Sequence, residues 1–223
     1  MIKEADLNDL FGQMIHKMTD LPPKQQRILA ASLNLFAEKG FDKTTTEDIA
    51  NAAQVAQGTV YRRFKTKDDL LAAVLTPILK DVFPQAISQF TGQAFETKYT
   101  NLHDFLTAIV TDRIHFIYEN RQVLKIVWSQ ALTNSEMLVI LRDRIGQAIS
   151  EIVFPQIKKM QKQNLIIGWP ADKILTFLAG TMFTFLTKLI IMPEHQIDLD
   201  SESDFMIRFL EKGLAANGDN HLV

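Results

Sequence analysis

Residues 57–67, Gln-Gly-Thr-Val-Tyr-Arg-Arg-Phe-Lys-Thr-Lys, hold the chain's densest group of side chains able to address a polyanion. Val60 and Phe64 fall four apart, so a helix starting near Gln57 buries those two and turns Gln57, Thr59, Tyr61, Arg62 and Arg63 outward. An amide, hydroxyls and guanidinium groups on one face can hydrogen-bond base edges and phosphate oxygens. Such a helix needs a support, and the residues before it supply one. Thr45 and Thr46 offer N-cap hydroxyls, Glu47 and Asp48 put carboxylates in a first helical turn, and Ile49, Ala50 and Ala53 give a small apolar face. Gln54-Val55-Ala56 is then a short connection anchored by Val55. Residues 45–67 thus predict two short helices joined by a tight turn, a helix-turn-helix with a recognition helix.

The stretch resembles the DNA-binding segment of TetR-family (tetracycline-repressor-type) transcription regulators. The likeness begins at Gln26-Arg27-Ile28-Leu29-Ala30-Ala31 and runs through Leu35-Phe36-Ala37-Glu38-Lys39-Gly40-Phe41. It continues over Thr44 to Ala50 and Gly58-Thr59-Val60-Tyr61-Arg62-Arg63-Phe64, and ends at Lys67-Asp68-Asp69-Leu70-Leu71. Carried over by position, the resemblance implies Gln57, Thr59 and Arg63 as base-edge contacts, and a Gly58 that lets the helix approach the groove closely. Thr46, Tyr61 and Lys67 fit phosphate-contacting positions, with Lys65 and Arg62 as secondary electrostatic contacts. Each has a plain alternative: a solvated side chain for Lys65, a partly buried core tyrosine for Tyr61.

Length and composition are compatible with this. The 223 residues suffice for one or two domains with a genuine core, and the 47% hydrophobic content, with 15 Phe against 2 Trp and 3 Tyr, indicates a core-rich protein. There is no Cys, which excludes disulfides and thiolate metal sites and suits a cytoplasmic protein. Sparse Gly and Pro and the absence of alternating strand patterns favour an all-α chain. The net charge of −2 taken alone argues against a nucleic-acid binder, but residues 24–67 hold eight Lys and Arg against four acids, so a basic head sits on an acidic body. The N-terminus lacks the pattern of a signal peptide, and the apolar stretch 174–187 is too short to span a bilayer, so it is expected to be a buried helix and no membrane partner is expected. No G-x-S-x-G, H-E-x-x-H, P-loop or dinucleotide pattern occurs, and neither enzyme activity, cofactor nor metal is expected.

Along the chain, Leu7, Leu10, Phe11, Met14, Ile15, Met18 and Leu21 repeat at helical spacing opposite Asp6, Asp9, Gln13, His16 and Asp20, an amphipathic helix over 1–21 closed by Pro22-Pro23. It is expected to pack on the protein's own surface or on a partner subunit. A first head helix runs from Lys24 to Lys39, with Ile28, Leu29, Ala31, Ser32, Leu35 and Phe36 inward, Gly40 after its end and Phe41 plugging the core. Thr66 caps a fourth helix from Lys67, which Pro77 and Pro84 should kink or end, with a loop at Thr91-Gly92. Body helices follow near 101–119, 122–133, 135–163, 171–192 and 201–214, with a frayed end from 217. The expected domains are 1–23 as an extension, 24–70 as the helix-turn-helix head, and 71–223 as a ligand-binding and dimerisation body.

Two body features bear on function. The 171–192 helix is apolar nearly all round and, with 201–214, can form a four-helix dimer interface, as the resemblance also implies. On the 101–119 helix, Arg113 falls on an apolar face with Ile109 and Phe116, and a guanidinium there must find a partner: a structural ion pair, water reached by a snorkelling side chain, or the acidic head of an apolar ligand. Trp128, Phe177 and Thr181 join Ile109, Arg113 and Phe116 as candidate ligand contacts, the family sensing a small molecule in this region. The expected function is a dimeric DNA-binding regulator, a repressor released from a palindromic operator by a small apolar or amphipathic ligand. A ligand-independent or corepressor-dependent regulator, or a helical protein-interaction adaptor, remains the alternative.

Overall fold

The computed structural model describes residues 7–17, 21–96, 99–192 and 197–216. Twelve α-helices follow in order: α1 (Leu7–Lys17), α2 (Pro23–Lys39), α3 (Thr46–Ala52), α4 (Gln57–Arg63), α5 (Lys67–Pro77), α6 (Phe83–Glu96), α7 (Leu102–Glu119), α8 (Arg121–Thr133), α9 (Ser135–Ala148), α10 (Phe154–Lys162), α11 (Ala171–Ile191) and α12 (Leu199–Leu214). Two π-turns, Ile78–Val82 and Ile149–Val153, join α5 to α6 and α9 to α10. There is no strand among the described residues, and the chain is all-α with an N-terminal helix-turn-helix. Backbone contacts group the described residues into two compact units, one within 7–87 and 122–145, the other within 88–121 and 146–216.

In the first unit, α2 is the centre against which α1, α3 and α5 pack. Its buried positions are Ile28, Leu29, Ser32, Leu33, Phe36 and Ala37; Ala31 and Leu35, expected inward, are half-buried. Pro23 opens α2, where a missing N–H costs nothing, and Gly40 closes it at φ 84, donating its N–H to the Phe36 carbonyl. Phe41 is half-buried and meets the Phe36 ring edge-on at 5.2 Å. Helix α1 lies on α2 and on the first π-turn, with Leu7, Leu10, Phe11 and Ile15 buried and Asp9, Gln13 and His16 exposed. It therefore covers the protein's own core; Met18, Asp6 and Asp20 lie outside the described residues, as does the C-terminal stretch from 217.

The prolines act differently from a helix end. Pro77 is the last residue of α5, and the backbone stays helical through Pro84 to Glu96, so Thr91-Gly92 lies within α6 and forms no loop. An α-helical Pro84 would press its ring on the Lys80 carbonyl. The wide turn relieves this: Phe83 N–H reaches five residues back to the Ile78 carbonyl. The same solution recurs where Phe154 N–H reaches Ile149 just before Pro155. The 135–163 segment is accordingly two helices with a π-turn between them.

In the second unit α7 packs mainly on α12 and also on α11, which touches α10 and α12. The 163–170 connection is fixed by Gln161 Nε2, donating to the carbonyls of Ile167 at 3.0 Å and Trp169 at 2.6 Å, and by Ile167 N–H on the Leu214 carbonyl at 2.8 Å. Two helical stretches, Lys67–Phe90 and Ala171–Ile191, are long and apolar enough to cross a membrane by length and composition. The first is core, with Leu70, Leu71, Val74, Leu75, Ile78, Leu79 and Val82 buried. The second, α11, has the expected extent but corrects the expectation of a buried helix, since only Ile174, Phe185 and Leu189 are buried.

The turn between α3 and α4 carries local strain. Val55 N–H bonds the Ala50 carbonyl and Gln54 N–H the Asn51 carbonyl, which leaves Gln54 in the left-handed region at φ 54. That conformation costs an L-residue about 1 kcal/mol, which glycine avoids at some expense in unfolded-chain entropy. Gln54→Gly should therefore raise stability by roughly 0.5–1 kcal/mol and the melting midpoint by about 1–4 °C. An unchanged or lower midpoint by calorimetry would show that the turn is unstrained.

Candidate nucleic-acid interface

Helices α3 and α4 hold seven residues each, too few to be stable alone, so caps and packing must hold them. Thr45 and Asp48 form a reciprocal capping box at the start of α3. The Thr45 N–H donated to Asp48, then the Lys39 ammonium at 3.0 Å, lower the Asp48 pKa to about 2. Thr66 and Asp69 repeat the box at the start of α5. Arg27 of α2 donates Nε–H to the Ala53 carbonyl at 3.0 Å, closing the end of α3 where the turn begins. Thr44 is buried and donates its hydroxyl to the carbonyls of Gly40 and Leu35 at 2.8 and 3.2 Å, sealing the end of α2.

On this support α4 buries Val60 and is followed by buried Phe64, while Gln57, Gly58, Tyr61, Arg62 and Arg63 are exposed and Thr59 is half-buried. Tyr61 is 52% exposed, which removes the core-tyrosine alternative. Thr46 Oγ1 donates to the Tyr61 hydroxyl at 2.8 Å, so the phenol accepts from α3 and keeps its own proton to donate elsewhere. Arg63 Nε donates to Gln25 Oε1 at 2.5 Å. Lys65 is exposed. Thus Thr46, Gln57, Gly58, Thr59, Tyr61, Arg62, Arg63 and Lys65 share the α3–α4 segment with their polar groups on or near its surface.

Lys67 is placed otherwise. Its ammonium donates to the carbonyls of Phe41 at 2.8 Å, Asp42 at 3.2 Å and Thr44 at 3.3 Å, and stands 4.4 Å from the centre of the Phe41 ring. An ammonium has three N–H donors. All three are taken by the α2–α3 loop, so a direct phosphate contact needs one of these bonds to be exchanged.

Of the body candidates, Arg113 has found its anion. Its Nε donates to Asp112 Oδ2 at 2.7 Å and Nη2 joins the same oxygen. The guanidinium lies 3.8 Å from the Phe90 ring centre and 4.5 Å from that of Phe116. Asp112 is buried, and its other oxygen, Oδ1, has no hydrogen-bond partner among the described residues. Sequence reasoning missed Asp112 because adjacent residues on a helix do not normally face each other. It missed Phe90 for lack of any periodic link to Arg113, and Gln25 because nothing in the pattern ties α2's first turn to α4's last. Ile109 is half-buried; Phe177 is exposed with its ring 6.0 Å from Trp169, and Thr181 donates its hydroxyl back to the Phe177 carbonyl. Trp128, which belongs to the other compact unit, is 38% exposed.

A capped helix pair with a polar, basic second helix turned outward defines a helix-turn-helix DNA-binding regulator. The sequence profile "Bacterial regulatory proteins, tetR family" matches residues 28–74, from mid-α2 to α5, so the helix-turn-helix segment is similar to that family's. The chain's relatives include the uncharacterized HTH-type transcriptional regulator YvkB of Bacillus subtilis strain 168, 24% identical over 87% of this chain and 99% of its own length. Among solved structures it is similar to a protein from Saccharomonospora viridis, described as a transcriptional regulator, in complex with choline (TM-score 0.68, 18% identity, 85% of this chain and 96% of that one). It is also similar to the transcriptional regulator FadR from Bacillus subtilis in complex with stearoyl-CoA (TM-score 0.58, 19% identity, 87% and 98%).

The Arg113–Asp112 pair makes a stability test. Removing only the guanidinium leaves a buried carboxylate unpaired, a loss of about 3 kcal/mol, whereas removing both charges costs far less. In urea melts Arg113→Met should lower stability by about that amount, and adding Asp112→Leu should restore most of it. Equal melts for wild type and Arg113→Met would mean that the pair holds nothing in place.

Proposed function

We propose that the protein is a cytoplasmic repressor that binds a palindromic operator as a homodimer and is released by a small apolar or amphipathic ligand. The observation that carries the DNA half is the outward set on α4. Gln57, Thr59 and Arg63 read base edges, and Tyr61, Arg62, Lys65 and Thr46 hold the backbone. Gly58 supports a close approach: a Cβ there would meet nothing within 4 Å and its φ is not positive, so the fold itself makes no demand for glycine. Lys67 acts by fixing the α2–α3 loop and adding long-range positive charge. Residues 24–70 serve as the DNA-binding domain, 1–23 as an extension that braces it, and 71–223 as the ligand-binding and dimerisation body.

Operator selection from a randomised duplex library tests this. Gln57→Ala should change the preferred bases of the half-site, whereas Tyr61→Phe should weaken binding to every selected sequence alike, by roughly tenfold, through one lost phosphate bond. A wild-type protein that selects no sequence would leave the helical adaptor as the better reading.

The dimer rests on the second unit. Phe177, Phe183 and Ile191 of α11 are exposed, and Phe205 and Phe209 of α12 are 69% and 66% exposed, an apolar surface that water does not favour. Pairing α11 and α12 with their copies covers it. Light scattering at micromolar concentration should give twice the 25.4 kDa chain mass, and Phe205→Glu with Phe209→Glu should shift it toward one. A monomeric wild type removes the dimer.

For the ligand, the neighbouring structures hold different chemistries, the small cation choline in one case and the long-chain amphipath stearoyl-CoA in another, and the second supports an amphipathic ligand. Asp112 already neutralises Arg113, so an acidic head is not required. The unpartnered Asp112 Oδ1 favours a head group that donates a hydrogen bond. The helical run from α5 through α6 leads from the head into the second unit's sequence, and a ligand preferring one setting of that run would change the spacing of two recognition helices.

A further inference from the structure

The geometry points to Gln25, in the first turn of α2, as a specificity-determining residue of the DNA-reading surface that acts through Arg63. The inference rests on α4 reading DNA as proposed above. Arg63 is the last residue of α4 and is exposed. An exposed arginine at a helix end samples many rotamers, and a guanidinium discriminates bases only when its fork is aimed. Here Nε donates to Gln25 Oε1 at 2.5 Å, across 38 residues of sequence. Arginine has donors only, so Gln25 must present its oxygen, which settles the orientation of its amide. Nη1 and Nη2 make no hydrogen bond among the described residues. The side chain is therefore held at Nε and offers the end-on pair Nη1/Nη2, the fork that matches guanine O6 and N7.

Gln25 is itself fixed. Its N–H bonds the Pro22 carbonyl at 2.8 Å, at a helix start set by Pro23, and the next residue, Gln26, donates Nε2 to the Leu21 carbonyl at 3.1 Å. With its oxygen turned to Arg63, Gln25 directs its NH2 the other way. Lys24, Thr59 and Arg62 line the same cleft, so this NH2 stands in a phosphate-attracting surface. One amide thus has two tasks: it accepts from the base-reading arginine and donates toward the backbone.

The experiment selects duplexes from a randomised library with the full-length wild type, Arg63→Ala, Gln25→Ala, Gln25→Glu and the Gln25→Ala/Arg63→Ala pair, with thermal melts as a check on folding. Arg63→Ala should lose the guanine preference at one half-site position by about tenfold. Gln25→Ala should lose at least about threefold at that same position and nothing elsewhere, and the double variant should lose no more than Arg63→Ala. Gln25→Glu should keep the preference, since a carboxylate accepts the same bond, while binding all sequences more weakly because a negative charge now faces phosphate. If Gln25→Ala keeps the preference that Arg63→Ala loses, or weakens all sequences alike, Gln25 does not position Arg63 and the inference is overturned. If Arg63→Ala keeps every preference while Gln57→Ala alters one, Arg63 does not read a base; the inference falls but DNA recognition by α4 stands. If the wild type selects nothing, both fall.

Discussion

The hydrogen bond from Arg27 to the Ala53 carbonyl is the contact on which the aim of the reading helix depends. Neither α3 nor α4 can hold its own direction at seven residues, so the angle between them is set by how the intervening turn is closed. A guanidinium suits that task, because the end of a helix presents unsatisfied carbonyls and partial negative charge. Lys67 does the same for the loop after α2, gathering three carbonyls on one ammonium. Both cations belong to the basic excess of the head, yet their hydrogen bonds go to backbone. The two keep their charge, but the side chains left to contact DNA directly are fewer than a count of Lys and Arg suggests, chiefly Lys24, Lys43, Arg62, Arg63 and Lys65.

Much of the head is legible in the sequence because its signals are local. The Thr45 and Thr66 caps, the Val60 and Phe64 spacing and the outward polar face each need only a few consecutive residues, and all are found in place. What the sequence hides are contacts between residues far apart in the chain or on unexpected sides of a helix. Gln25 meets Arg63 through the packing of α2, and nothing periodic announces it. Asp112 and Arg113 are neighbours that should diverge, and only the flexible guanidinium arm lets them meet. Thr91-Gly92 reads as a break by composition, but glycine lowers helix stability without forbidding it, and α6 runs through.

The body shows the limit of hydrophobic patterning in another way. An apolar face tells that something must cover it, not whether the cover is the same chain. Helix α1 finds its cover on α2 and the first π-turn, whereas α11 and α12 leave phenylalanines in solvent. The profile match confined to 28–74 fits this contrast, since the head is where residue types are constrained by a shared task. Relatives that span nearly the whole chain do so at about a quarter identity, which carries the fold and little of the chemistry of the body.

The π-turns before Pro84 and Pro155 also set a phase. Each admits one more residue than an α-turn, so every side chain beyond it points about 100° away from where unbroken α-helical counting would put it. The buried stripe of α5 and the faces of α6 are thus out of register by design of the proline. Loss of a single residue within 78–82 would bring them back into register and turn all of α6 about its axis, a far larger change than most substitutions there. Length is consequently under tighter constraint in these two segments than side-chain identity.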